Sequence, residues 1–372
     1  MKLAPRLARP LCVLFLSLGT SLAAEDASID RLLGKLPPPE KIIKPSVRKA
    51  LQQPDPAFKD PLAVQVATAI VARNFSQALS LSRKLTERYP RSAGAQYLRG
   101  AAAYDLRQFP EAAAAFRAAI NIEPRFLFAH FCMALVEASQ GHYASAVPYL
   151  KRVIELEPKA SGAYYGLSDC TLRIGRKQES ATYARKAAAL APSDAYVWLQ
   201  LAKAENSLGH TEATLNAIAR AAQVSPDSGA LHANLGFSYI NLNRIPQAIP
   251  PLQRAAKLLP RDYLVQSQLG YCLMTVGQTN AAIGYLRKGA KLNSAYGPVW
   301  EHLGVAYQKQ GRNRDAVGAL EKATRLLPSS RLAWQHLAQA YQAAGRAAEA
   351  QRAAARAQQL GLAAPKAGKK KA

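Results

Sequence analysis

An all-α solenoid of about nine helical hairpins is the fold this sequence predicts, on three observations. Prolines recur every 34 residues, at Pro90, Pro124, Pro158, Pro192, Pro226 and Pro260, and Pro328 resumes the frame after Ser294. Small and large apolar residues keep fixed offsets within that period. Each period holds two apolar stripes at helical spacing, in most periods with a glycine between them, which is the pattern of a helix, a turn and a second helix.

Composition narrows the alternatives. The 372 residues carry 49 Lys and Arg against 24 Asp and Glu, a net charge of +25. With 49% apolar and 20% charged residues a large core is available, and wholesale disorder is excluded. Four cysteines in a chain of this length exclude a disulfide scaffold.

Taken in chain order, residues 1–24 read as an export signal. Lys2, Arg6 and Arg9 precede the apolar run Leu11–Leu18, and the small residues Ser21, Ala23 and Ala24 follow it. That run is far short of the ~20 residues a membrane-spanning helix needs. Cleavage is expected at Ala24 or Glu25. Losing Lys2, Arg6 and Arg9 removes only three charges from +25, so the basic balance belongs to the remainder. Residues 25–58, with Pro37, Pro38, Pro39, Pro45, Pro54 and Pro56, read as an extended leader. Nine frames follow over 59–364, counted with residue 59 as place 1. The tail 365–372 is basic, with Lys366, Lys369, Lys370 and Lys371, and is expected to be disordered.

Within a frame, each place has a physical task. Place 7 is Met133, then Leu167, Leu201, Leu235, Leu269, Leu303 and Leu337. Place 4 holds Trp198, Trp300 and Trp334, and place 11 holds Tyr239, Tyr307 and Tyr341. Places 4, 7, 8 and 11 make one helical stripe. Place 8 is small from Gly100 onward and place 20 is small throughout, which lets two helices approach closely. Gly141, Gly175, Gly209, Gly277, Gly311 and Gly345 at place 15 suit the left-handed conformation that ends a helix, and Asn243 stands there in the sixth frame. Ser92, Asp194, Ser228, Asp262 and Ser330 at place 34 are expected to cap the next helix. Pro148, Pro250 and Pro251 fall inside second helices, where kinks or late starts are expected. The first frame departs most, with Gln65, Val66 and Arg73 at places 7, 8 and 15.

Period, small places, tryptophans and prolines together resemble the tetratricopeptide repeat family, over about 306 residues. The resemblance implies a right-handed α-solenoid, a role in binding protein segments, and a groove lined by places 2, 5, 9, 12 and 13. On those places stand Tyr97, Tyr104, Phe128, Phe131, Tyr165, Tyr196, Phe237 and Tyr271, expected to form an aromatic surface for a protein or peptide partner. Packing between neighbouring helices, or a groove filled by the chain's own leader, are the competing readings. The resemblance further suggests work in assembling a cell-envelope, secretion or surface-polymer complex, in the periplasm or outside the cell.

The second helices carry a different signal. Place 25 or place 26 is basic in every frame, and place 22, about one turn earlier, never supplies an acid. Lys257, Arg287, Lys288, Lys291 and Arg325 concentrate this ridge in frames six to eight. An unpaired stripe of this kind attracts acidic polysaccharide or lipid headgroups, although basic residues there also serve merely to solvate a helix. No specific nucleic-acid contact is expected.

Catalytic signals are lacking, and no enzyme activity or cofactor is expected. His130 and His232 share place 4 with the tryptophans and read as packing residues. His302 and His336 share place 6 of adjacent frames beside Glu301. A metal pair there is disfavoured, because stacked helices hold equivalent places about 8–10 Å apart. Cys170 and Cys272 at place 10 read as small buried residues, while Cys132 at place 6 is expected nearer the surface.

Overall fold

The computed structural model describes residues 55–362. The expected export signal, the expected leader up to residue 54 and the expected basic tail lie outside the described residues. Within them the chain is a run of paired helices with no strand. It divides between Val224 and Ser225 into two compact units.

The first unit opens on a short 3₁₀ turn, Pro56–Lys59. Five hairpins follow: α1 (Pro61–Val71) with α2 (Phe75–Arg88), α3 (Ala93–Asp105) with α4 (Phe109–Ile122), α5 (Leu127–Ser139) with α6 (Tyr143–Leu156), α7 (Ser161–Arg173) with α8 (Lys177–Leu190), and α9 (Ala195–Ser207) with α10 (Thr211–Val224). The second unit holds four: α11 (Gly229–Asn241) with α12 (Ile245–Leu258), α13 (Tyr263–Thr275) with α14 (Thr279–Leu292), α15 (Gly297–Lys309) with α16 (Asn313–Leu326), and α17 (Arg331–Ala343) with α18 (Ala347–Leu362).

Glycines at place 8 set the closeness of three of these hairpins. A Cβ on Gly236, Gly270 or Gly304 would meet Leu252, Leu286 or Leu320 at 2.4–2.6 Å. These leucines all stand at place 24 of the same frame and are fully buried. In the first unit Gly100 does the same for Phe116. Six frames carry a large place-24 side chain and a glycine or alanine at place 8, while frames one, four and nine have Ser82, Ala184 and Ala354 at place 24.

Every hairpin turn takes a left-handed residue at place 15. The six expected glycines have φ between 69 and 85°, and Asn243 has φ 56°. Arg73 and Arg107 also adopt it, each at φ 60°, so the departures of the first two frames changed the residue and not the backbone. Among the expected caps, Ser92, Asp194, Asp262 and Ser330 accept from backbone amides of the helix they precede. Ser228 makes no side-chain cap bond.

Three further expectations are corrected. Pro148 lies inside α6, and Pro250 and Pro251 lie inside α12, so both 14-residue helices begin before these prolines and the expected late start does not occur. Residues 55–58 do not belong to a leader: Asp55 accepts hydrogen bonds from Ser92 Oγ and the Gly94 amide, and Phe58 is buried against Gly94. Cys132 is only 1% exposed, as deep as Cys170 and Cys272. Burial pushes the Cys170 and Cys272 thiols up to about 11 and about 12, which keeps them protonated and poor nucleophiles near neutrality.

Candidate functional site

Place 4 turns out to have one task in six frames. Trp198 donates its indole N–H to the Pro192 carbonyl at 2.8 Å, Trp300 to Ser294 at 2.9 Å and Trp334 to Pro328 at 3.1 Å. His130 and His232 reach Pro124 and Pro226 through Nε2, both at 3.0 Å, and the Gln266 amide reaches Pro260 at 3.5 Å. A carbonyl only accepts, so Nε2 carries the proton in both histidines. Each donor satisfies the carbonyl at place 32, six residues back, beyond the end of the previous helix. Through Nε2 these histidines tie the first helix of their frame to the end of the previous one, which supports the packing role.

The eight candidate groove aromatics separate into two groups. Tyr97, Tyr104, Phe128 and Phe131 are buried, each under 9% exposed. Tyr97 packs on Phe116, Phe126 and Phe128 with ring centroids 5.5–6.2 Å apart. The bulk of this cluster closes the first-helix surface over the gaps between repeats, so these four are core and are withdrawn as binding residues. The eight therefore do not form the expected aromatic surface.

Tyr196 is the exception, 65% exposed at the start of α9. Half-buried Tyr165 on α7 lies within its electrostatic reach. Burial pushes the Tyr165 phenol up to about 12, with Asp169, Asp194 and Tyr196 adding to the rise and Arg173 opposing it. Asp169 holds Arg173 at 3.1 Å, and the Arg173 guanidinium lies 5.0 Å from the centre of the Tyr143 ring. Exposed Lys203 and Asn206 follow on α9. The first unit thus offers a tyrosine standing out of a polar, charge-paired setting on α7 and α9.

On the second unit, Phe237 and Tyr271 are half-buried. Tyr271 stacks on His302 with centroids 4.7 Å apart. Burial pushes the His302 imidazole down to about 4, with His336 reinforcing the fall and Glu301 opposing it. His336 Nδ1 lies 3.2 Å from buried Glu301, close enough for an ion pair but outside hydrogen-bond geometry. Among the described residues no group of three His, Cys, Asp or Glu could hold a metal ion.

Ridge cations that were expected to lack partners are in part paired. Arg83 meets Glu111 at 2.7 Å, Arg185 meets Glu205 at 2.7 Å, and Arg254 meets Asp227 at 3.1 Å. All three acids come from a neighbouring element, where a search one turn up the same helix does not look. Glu205 is 2% exposed and also accepts His210 Nδ1 at 2.8 Å. Lys322 caps the Trp300 ring at 3.9 Å. By contrast Lys257, Arg287, Lys288, Lys291 and Arg325 are all exposed, and none forms an ion pair among the described residues.

Comparison with known proteins bears on all of this. Tetratricopeptide repeat families match residues 68–125, 133–195, 166–302 and 297–340. No curated protein matches. Among solved structures, the crystal structure of MamA protein is 21% identical and covers 45% of this chain and 92% of that one at a TM-score of 0.42. MamA from Desulfovibrio magneticus RS-1 is 19% identical, covering 46% and 97% at a TM-score of 0.43. The Cut9–Hcn1 hetero-tetramer of the APC/C is 14% identical, covering 81% of each chain at a TM-score of 0.39. With its 34-residue hairpins, left-handed turns and family matches over most of its length, the chain belongs to the tetratricopeptide repeat family.

Proposed function

We propose that this protein is an exported scaffold that grips a segment of a partner protein on the first-helix face of its repeats, and that it assists assembly of a cell-envelope, secretion or surface-polymer complex. The tetratricopeptide repeats support a protein-interaction scaffold as such. The export and the envelope role rest on residues 1–24 and on the family likeness. The observation that carries the gripping surface is Tyr196, a ring left 65% exposed while Phe128, the aromatic at the same place of an earlier frame, is buried. A large amphipathic ring costs little entropy to immobilise and often anchors a protein interface.

The test pairs a surface change with a core change. Tyr196→Ala is expected to lose capture of the principal partner from envelope extract, with the thermal melt unchanged. Leu201→Ala, on the same helix, removes a buried side chain and should destabilise by about 2–5 kcal/mol through cavity formation. Equal capture by Tyr196→Ala and the parent removes this face from consideration. N-terminal sequencing of the exported protein, with Ala24 or Glu25 as the expected first residue, tests the export reading separately.

A further inference from the structure

Place 29 separates the two units. In the first, the second helices end on Glu87, Asn121, Glu155, Ala189 and Gln223 at this place. In the second, α12, α14 and α16 carry Lys257, Lys291 and Arg325. A cation in the last turn complements the negative end of the helix dipole. Every second helix has that dipole, however, and two of those in the first unit place a glutamate there. The dipole therefore does not account for a cation confined to three successive helices.

Place 30 follows each of these cations with a leucine: Leu258, Leu292 and Leu326. Leu292 is 40% exposed and Leu326 is 36% exposed, among the few large apolar side chains the fold leaves in water. Arg287 and Lys288 lie one turn back on α14, on the same side as Lys291. The acids of this unit are occupied elsewhere. Asp227 pairs with Arg254, Asp315 with Arg312, and Glu349 with Arg346. Asp262 caps α13, and Glu301 is buried beside His336. Glu321, beside Lys322 on α16, accepts from the Tyr341 hydroxyl at 2.8 Å and approaches Arg346 at 3.5 Å.

We propose that this face of the second unit docks on an anionic membrane surface, with its five free cations on lipid phosphates and Leu292 and Leu326 entering the interfacial layer. Cations alone would suit any polyanion. The leucines decide for the membrane, because a linear acidic polysaccharide offers them no apolar medium and a bilayer does. Single-stranded nucleic acid is disfavoured as well, since it stacks on exposed rings, and among the described residues of this unit no aromatic side chain is exposed. Docking is peripheral: no described helix is long and apolar enough to cross a membrane.

The experiment is sedimentation of the full chain with phosphatidylcholine vesicles, with and without phosphatidylglycerol, and in parallel retention on heparin resin. One variant joins Lys257→Gln, Arg287→Gln, Lys288→Gln, Lys291→Gln and Arg325→Gln; another joins Leu292→Ser and Leu326→Ser. Residues 1–54 and 363–372 are the same in all three proteins, so differences report on this face. Each cation near an anionic leaflet is worth about fivefold in partition. The charge variant is expected to lose at least about a hundredfold in binding to the phosphatidylglycerol vesicles. The leucine variant is expected to lose about tenfold there while keeping its retention on heparin. The charge variant should melt with the parent, since exposed charges contribute little to stability; the leucine variant gives up the buried part of both side chains, so vesicle binding is read at a temperature where its own melt shows it folded. Three results would overturn the proposal: undiminished vesicle binding by the charge variant, equal binding of the parent to the two kinds of vesicle, or a leucine variant indistinguishable from the parent. The last, combined with loss of heparin retention in the charge variant, would assign the face to soluble polyanions. None of these outcomes touches Tyr196, which belongs to the other unit.

Discussion

Two buried ionisable residues oppose each other across the pH range. Both carboxylate oxygens of Asp105 are buried without a hydrogen-bond partner, and burial pushes the carboxyl up to about 7 against a partial offset from Arg73. The unfolded chain ionises Asp105 near pH 4, so folding carries a cost that grows above that pH and levels off above pH 7, at about 2–4 kcal/mol. His302 runs the other way. Its unfolded form takes a proton near pH 6.5 and its folded form only near 4, so its cost grows as pH falls between those values, to about 3 kcal/mol. Asp105→Asn should therefore raise the denaturation midpoint at about pH 8 and lose that advantage by about pH 4. His302→Gln should gain relative to the parent as pH falls through the same window. Urea titrations at several pH values read both slopes, and a pH-independent difference for either variant would refute its assignment.

At the scale of one hairpin, two glycine places work by different physics. Place 15 needs the left-handed backbone, which an arginine reaches only at a cost of roughly 1 kcal/mol. Place 8 needs absence of bulk, because place 24 occupies the space. The two predictions have opposite signs. Arg107→Gly should stabilise by about 1 kcal/mol, since its φ of 60° is free for glycine. Gly270→Ala should destabilise by about 1–3 kcal/mol, since its Cβ would stand 2.6 Å from Leu286 Cγ. One series of denaturant melts measures both. The place-4 donors belong to this scale too: Trp, His and Gln share little except an N–H at the right reach, and Ser294 can replace proline because the contact is to its carbonyl.

Within each unit, each hairpin rests mainly on its neighbours, so stability is close to a sum of local terms. The last described hairpin, α17–α18, has one neighbour among the described residues and shows water a polar side with Gln351, Arg352, Arg356 and Gln359 exposed. Leu337→Ala there should open that hairpin alone. Leu269→Ala in α13, buried between two neighbours, should raise amide exchange in the hairpins on either side as well. Exchange measured hairpin by hairpin distinguishes the two patterns; identical footprints would mean that the second unit unfolds as one block.

The sequence by itself determined the period, the helix pairs, the place-15 turns and most of the caps, because these are local requirements repeated at one spacing. It also placed the concentration of cations in frames six to eight. Only the tertiary structure decided which aromatics face water. Tyr97, Phe128 and Phe131 stand on groove places by number, yet adjacent repeats close over them, while Tyr196 is left standing out. The pairing of Arg83, Arg185 and Arg254 was hidden for the same reason, since their acids come from neighbouring elements and the sequence test looked along one helix. The place-30 leucines were visible in the alignment of frames but could not be told from core leucines there. A period names the residues that repeat; burial depends on the side chains of the next repeat, and those differ from frame to frame.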